Sequence, residues 1–273
     1  MLSRFLCKLA LIYALPISLF GQSTADGIQT HLIGKPLYLR GLWKDNKLHF
    51  DSAGKLRGNS QTLSFTLCGI EVTKVDIQPK RLVIDGRRVG LKFNNSVPQR
   101  IVLVAGSTQG SHDEQMHVEI DAPPGGDYSP ALDAIFTDDL ASLLPALPAE
   151  WQNYATKNFP AGSPPSSPQT ELPPLPQGMR RVGGGVSPPR KLSGAEPRLN
   201  EYAGAMRATG TDYIFLVIDQ KGNPSQPSIV RPIGLGLDED ALAAVKQYVF
   251  QPATEGGKPV AVGIVVEIRS TQF

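Results

Sequence analysis

"IGLGLDEDALAAVKQYVFQPATEGGKPVAVGIVVEIR", residues 233–269, decides how the C-terminal third of this chain folds. Asp238, Glu239 and Asp240 crowd the start of a helical pattern, where carboxylates suit the positive end of the helix dipole. Leu237, Ala241, Ala244, Val245 and Tyr248 recur at helical spacing and predict a buried stripe, which Pro252 ends. The turn residues TEGGKP then lead into a closing strand, Val260 to Arg269, that is apolar and nearly uncharged.

Upstream, "EPRLNEYAGAMRATG" (196–210) predicts a helix with Leu199, Ala203 and Met206 on one face and Gly210 as its stop. The strand that follows is apolar on both faces. Tyr213, Phe215 and Val217 point one way, and Ile214, Leu216 and Ile218 the other, which predicts a central strand covered on both sides. Pro227 in "SQPSIVR" cannot donate to a ladder, so the next strand belongs on an edge. The expected order is α-β-β-α-β over residues 190–273, an α+β domain with a three-stranded antiparallel sheet.

That order leaves the closing strand at the other edge. Val262, Ile264, Val266 and Ile268 are expected to pack inward, with Val265, Glu267 and Arg269 on the opposite side. An unpaired edge recruits an extended peptide through main-chain hydrogen bonds. Val262, Gly263, Ile264, Val265, Val266, Glu267, Ile268 and Arg269 are therefore the candidate partner-binding strand. The competing expectation is that the strand is simply sheet core, or pairs with a second copy to form a homodimer.

The spacing of these elements resembles the C-terminal domain of TonB proteins. The resemblance covers roughly residues 185–273. It rests on Glu196-Pro197, Gly210-Thr211, the "VID-x-x-G" turn at Val217–Gly222, "GLD-x-x-A" at Gly236–Ala241, "F-x-PA" at Phe250–Ala253 and "G-x-PV" at Gly257–Val260. It implies a periplasmic module that binds a short extended segment of an outer-membrane transporter, placed alongside the last strand. It also implies a connection to inner-membrane motor proteins. Energy-coupling members carry a long N-terminal anchor with a Ser and a His one turn apart. Here the apolar stretch is short, and no histidine precedes His31. That sustains a second expectation: a periplasmic scaffold that uses the domain without energy coupling.

The N-terminus reads as an export signal over residues 1–25. Arg4 and Lys8 precede a twelve-residue apolar run, Leu9 to Phe20, and small residues follow. A bilayer span needs about 20 residues, so a cleaved signal and a periplasmic location are expected, with a short inner-membrane anchor as the alternative. Residues 26–159 read as a β-rich domain, a small antiparallel barrel or sandwich followed by short helices at 127–159. Asp85-Gly86, between "RLVI" and "RRVGLKF", predicts a hairpin turn. Nine prolines between Pro160 and Pro189 mark a linker.

Composition excludes several functions. The net charge of +2, from 27 basic and 25 acidic residues, gives no case for nucleic acid. Residues 35–100 carry 13 basic and 5 acidic residues, and residues 101–171 carry 1 and 10. Mutual pairing within one domain is the expected consequence. With Cys7 in the signal, Cys68 stands alone, and its "LSFTLCGIEV" setting predicts a buried thiol in a strand. "SHDEQMH" (111–117) reads as a polar loop, since its two histidines are badly spaced for a metal. "VGGGVSPP" reads as a hinge. No nucleophile–histidine pairing is evident, so no catalytic, cofactor or metal site is expected.

Overall fold

The fold is described from a computed structural model, over residues 25–95, 97–106, 112–159 and 172–271. Residues 1–24 of the expected export signal and the first part of the proline-rich segment lie outside the described residues. Helix α1 (Ala25–Leu32) leads into a seven-stranded sheet. Its strands are β1 (Leu37–Leu39), β2 (Lys47–Phe50), β3 (Gly69–Gln78), β4 (Arg81–Asn94), β5 (Val97–Val102), β6 (Gln115–Asp121) and β7 (Phe136–Thr137). The order across the sheet is β2-β6-β4-β3-β1-β7, with β5 also paired to β4. This path does not close on itself, so the sheet is open and the expected barrel is not formed.

β4 is the spine of this sheet, and it corrects the hairpin expected at Asp85-Gly86. The strand runs straight through that pair for 14 residues. Its first half pairs with β6 and its second half with β5. The turn falls instead between Gln78 and Arg81, where β3 and β4 meet. Gly86 is needed for close approach, because a Cβ there would stand 2.5 Å from the Glu71 carbonyl oxygen. Within "SHDEQMH", His112–Asp113 and residues 115–117 are likewise strand and not loop, with His117 on β6. Cys68 is buried as expected, but it closes a 3-10 turn (Phe65–Leu67) and precedes β3. Its thiol donates to the Phe65 carbonyl, and burial pushes its pKa up to about 12, so it behaves as a small apolar filler.

The charge imbalance resolves within this sheet. Arg81 pairs with Glu119, Arg57 with Asp121, and Arg87 with both Glu71 and Asp113. His117 bonds Asp85, which pushes its pKa upward. The acids are therefore neighbours on the strands themselves, more than on the helices that follow. These pairs are solvent-facing, and each contributes little to stability. Arg88 behaves differently. It is fully buried, and its guanidinium donates to the Asn46 side chain and to the carbonyls of Trp43, Lys44, Asp45 and Leu67. One residue thereby satisfies the polar groups of the loop between β1 and β2.

The C-terminal third forms a second sheet. Its strands are β8 (Arg180–Arg181), β9 (Gly210–Ile218), β10 (Pro224–Arg231) and β11 (Val262–Ser270), in the order β8-β11-β9-β10. Strand β9 is central and apolar on both faces, and Pro227 places β10 on an edge, as the residues predict. The sheet has four strands where three were expected, because the proline-rich segment contributes β8. Helix α4 (Glu201–Ala205) is shorter than the expected 196–210. Asn200 caps it by accepting from the Ala203 N–H. Helix α5 (Leu237–Val245) stops before Pro252 because Val249–Gln251 is recruited as a strand by Arg190–Ser193.

Helices α2 (Ser129–Ile135) and α3 (Ala149–Asn158) follow the first sheet in sequence, yet α3 packs against β10 of the second. Trp151 on α3 is fully buried against Phe65 and near Phe93 of the first module. The same apolar cluster contains Ile214, Leu216, Ile218, Val245 and Ile268 of the second. The two regions that the sequence separates thus share one core. A shared core predicts a single cooperative unfolding transition for the full chain, measurable by calorimetry. Trp151→Ala should lower that stability by about 3–5 kcal/mol while keeping one transition. Two resolved transitions in the native chain would contradict the shared core.

Candidate functional site

The border of β11 is the sequence-derived candidate, and its side chains alternate as expected. Val262 and Ile268 are buried, and Ile264 and Val266 pack on the same core. Val265, Glu267 and Arg269 are exposed on the other side. Val265 is 36% exposed. On one side β11 pairs with β9 along its whole length, from Val262↔Ile218 to Ser270↔Gly210. The other side is free only in part. Arg180 and Arg181 lie parallel to Val262 and Gly263, and the Arg180 N–H donates to the Ala261 carbonyl at 3.0 Å. The open border therefore begins at Ile264, a correction to the expectation that it starts at Val262.

That single hydrogen bond fixes which backbone groups point outward. Peptide groups alternate sides along a strand, and Ala261 faces β8. Val265, Glu267 and Arg269 accordingly turn their N–H and C=O groups away from β9. Among the described residues, no strand pairs with this stretch. Beside its start lies a cleft of about 480 Å³ lined by Arg181, Val182, Pro188, Pro189, Ile264 and Val265.

Sequence reasoning missed a second group where the two modules meet: the buried Asp212 and Asp238, with the half-buried Glu239 beside them. The loop before α5 hydrogen-bonds along the end of β4: Phe93 donates to the Ile233 carbonyl at 2.7 Å and Leu235 to the Leu91 carbonyl at 2.8 Å. Gly234 between them has φ +90°, and a Cβ would collide with the Leu91 carbonyl. Asp238 holds the loop from within by accepting from the N–H groups of Ile233 and Gly234. Asp212 also accepts from the Ile233 N–H at 3.3 Å. Burial and the neighbouring Asp238 push Asp212 well above the usual carboxylate range. Burial raises Asp238 too, but its two backbone bonds favour the carboxylate, so we assign it the charge and Asp212 the proton.

Glu239 completes the group. It accepts the Trp151 indole N–H at 2.9 Å, tying α5 to α3, and burial with the Asp238 charge raises its pKa to about 8. In the sequence Asp238 and Glu239 read as helix-dipole partners. The one available signal was Asp212, an acid entering an otherwise apolar strand. The folded chain holds these protons at pH values where the unfolded chain has released them. Stability is then full on the acid side and falls as pH rises, for Glu239 between its ordinary 4.5 and about 8. Glu239→Gln keeps an acceptor for Trp151, and Asp212→Asn keeps a donor for Asp238. Each should flatten the decline in denaturant-measured stability between about pH 5 and about pH 9. An unchanged slope in both variants would remove the assigned protons.

Residues 195–269 match the family model for the C-terminal region of Gram-negative bacterial TonB proteins. The match spans α4, β9, β10, α5 and nearly all of β11, and it leaves β8 and the N-terminal module outside. No curated protein matches the sequence.

Proposed function

We propose that residues 195–269, which match the TonB C-terminal family model, bind an extended segment of an outer-membrane transporter by strand addition. The observation that supports the reading is the unpaired border at Val265, Glu267 and Arg269. A docked strand gains backbone hydrogen bonds at those three residues. Each is worth about 0.5–1.5 kcal/mol net, which favours a reversible partner. The buried face beneath it, Ile264, Val266 and Ile268, keeps the border flat and in register.

Family members are periplasmic or membrane-anchored, and no helix among the described residues is long and apolar enough to cross a membrane. In our reading, residues 1–25 export the chain to the periplasm. Inner-membrane motor proteins are its further partners if that segment stays uncleaved as an anchor. The shared core supports a second reading. A domain fused to a β-module through Trp151 is not a free head on a tether, which suits a periplasmic scaffold without energy coupling. N-terminal sequencing of the exported protein separates the two. A start near Thr24 or Asp26 means cleavage and favours the scaffold.

Val265→Pro tests strand addition directly. It removes an outward N–H without touching the β9 ladder. A photoreactive residue at Glu267 in the full chain should label a transporter's periplasmic segment, and Val265→Pro should abolish that labelling. Thermal melting should show the variant still folded. Undiminished labelling in a folded Val265→Pro chain would rule out docking on this border.

A further inference from the structure

We propose that the segment Gly178–Val182 is a built-in stop that sets where a docked strand ends on β11. The inference rests on the strand-addition reading and deepens it. Arg180 and Arg181 already occupy this border as a strand, using the outward carbonyl of Ala261. The segment is anchored from two directions. Leu175 and Met179 pack on the outer face of the sheet against Phe215, Val217 and Val230. Leu175 lies so near Gly263 that a side chain at that glycine would collide with it. Arg180 also faces Glu255 at 3.5 Å, an exposed pair that orients more than it stabilises.

Beyond Arg181 the chain leaves the border. It turns between Gly183 and Val186, whose backbones bond each other, and returns with Pro188 and Pro189 beside Ile264 and Val265. Neither proline has an N–H to offer, so this wall cannot extend the sheet. An incoming strand in line with β8 meets Val182 end-on. It is confined to the stretch from Ile264 to Ser270, about five or six residues of pairing. Its residue nearest the stop enters a cleft whose exposed apolar groups are Val182 and Val265, 41% and 36% exposed. The fitting partner is thus a short extended peptide with an apolar side chain at that end. β8 lies outside the matched residues 195–269, so the family match does not account for the stop.

The test uses full-length protein in cells, with a photoreactive residue placed singly at Val265, Glu267, Val182 or Arg180. Labelled peptides are identified by mass spectrometry. Positions 265, 267 and 182 should label the same transporter segment, and position 180 should not. Arg180→Pro removes the bond to Ala261 and should extend labelling to a photoreactive residue placed at Ala261, which stays unlabelled in the unaltered chain. Leu175→Asp with Met179→Asp, which frees the segment from the sheet face, should do the same. On purified protein, the Gly263 amide should be protected from hydrogen exchange and lose about tenfold or more of that protection in either variant. Continued protection at Ile214 reports an intact sheet. Labelling at 265 and 267 with an unchanged pattern in both variants overturns the stop and leaves strand addition standing. So does labelling from position 180 in the unaltered chain, or free exchange at Gly263. No labelling at 265 or 267 removes strand addition, and the stop with it.

Discussion

The backbone clasp between Ile233–Leu235 and the end of β4 is the contact on which the rest of the structure depends. β4 is longer than β3, so Leu91 and Phe93 are left with backbone groups that β3 does not reach. The loop ahead of α5 fills that gap. It reaches the strand because Gly234 has no side chain and because Asp238 holds its N–H groups from the other side. The Gly236 N–H then donates to the Thr66 hydroxyl, which fastens the helix start to the first module. Burying these polar groups unpaired would cost far more than the bonds return.

The clasp explains why the acids around it are buried. Closing the joint drives apolar groups together around Trp151, and the first turn of α5 is carried inside with them. A carboxylate in such a place must find donors or keep its proton. Asp238 finds backbone donors, while Asp212 and Glu239 move toward the protonated form. The joint is therefore strongest on the acid side of neutrality. It also places α3 over β10, so the inner face of the second sheet is covered from both modules.

With the faces covered, the remaining polar asset of the second sheet is its border. The β10 edge carries Pro227, which weakens it as a template. The β11 edge has full backbone capacity, of which the chain uses only the first part for itself. The proposed strand addition rests on that division of labour, together with the match of residues 195–269 to the TonB C-terminal family model.

The alternation of β11, the double-sided β9 and the edge position of β10 were all legible, because period-two patterns and a proline act locally. The six family motifs depend on order and spacing along the chain, and they were legible too. Several features were not. Asp85-Gly86 reads locally as a turn, yet Gly86 serves an interstrand approach that only the partner strand reveals. Val249–Gln251 reads as the tail of a helix, and a distant strand, Arg190–Ser193, claims it. Asp238 and Glu239 read as helix-dipole partners, and a distant module takes their carboxylates out of water. What residue order determined by itself is the apolar faces of β9 and β11 and the resemblance of residues 195–269 to the TonB C-terminal family. Which edge groups stay unpaired, and which acids lose water, was decided only when distant segments met. Desolvation and interstrand pairing depend on neighbours in space, and local sequence does not specify those.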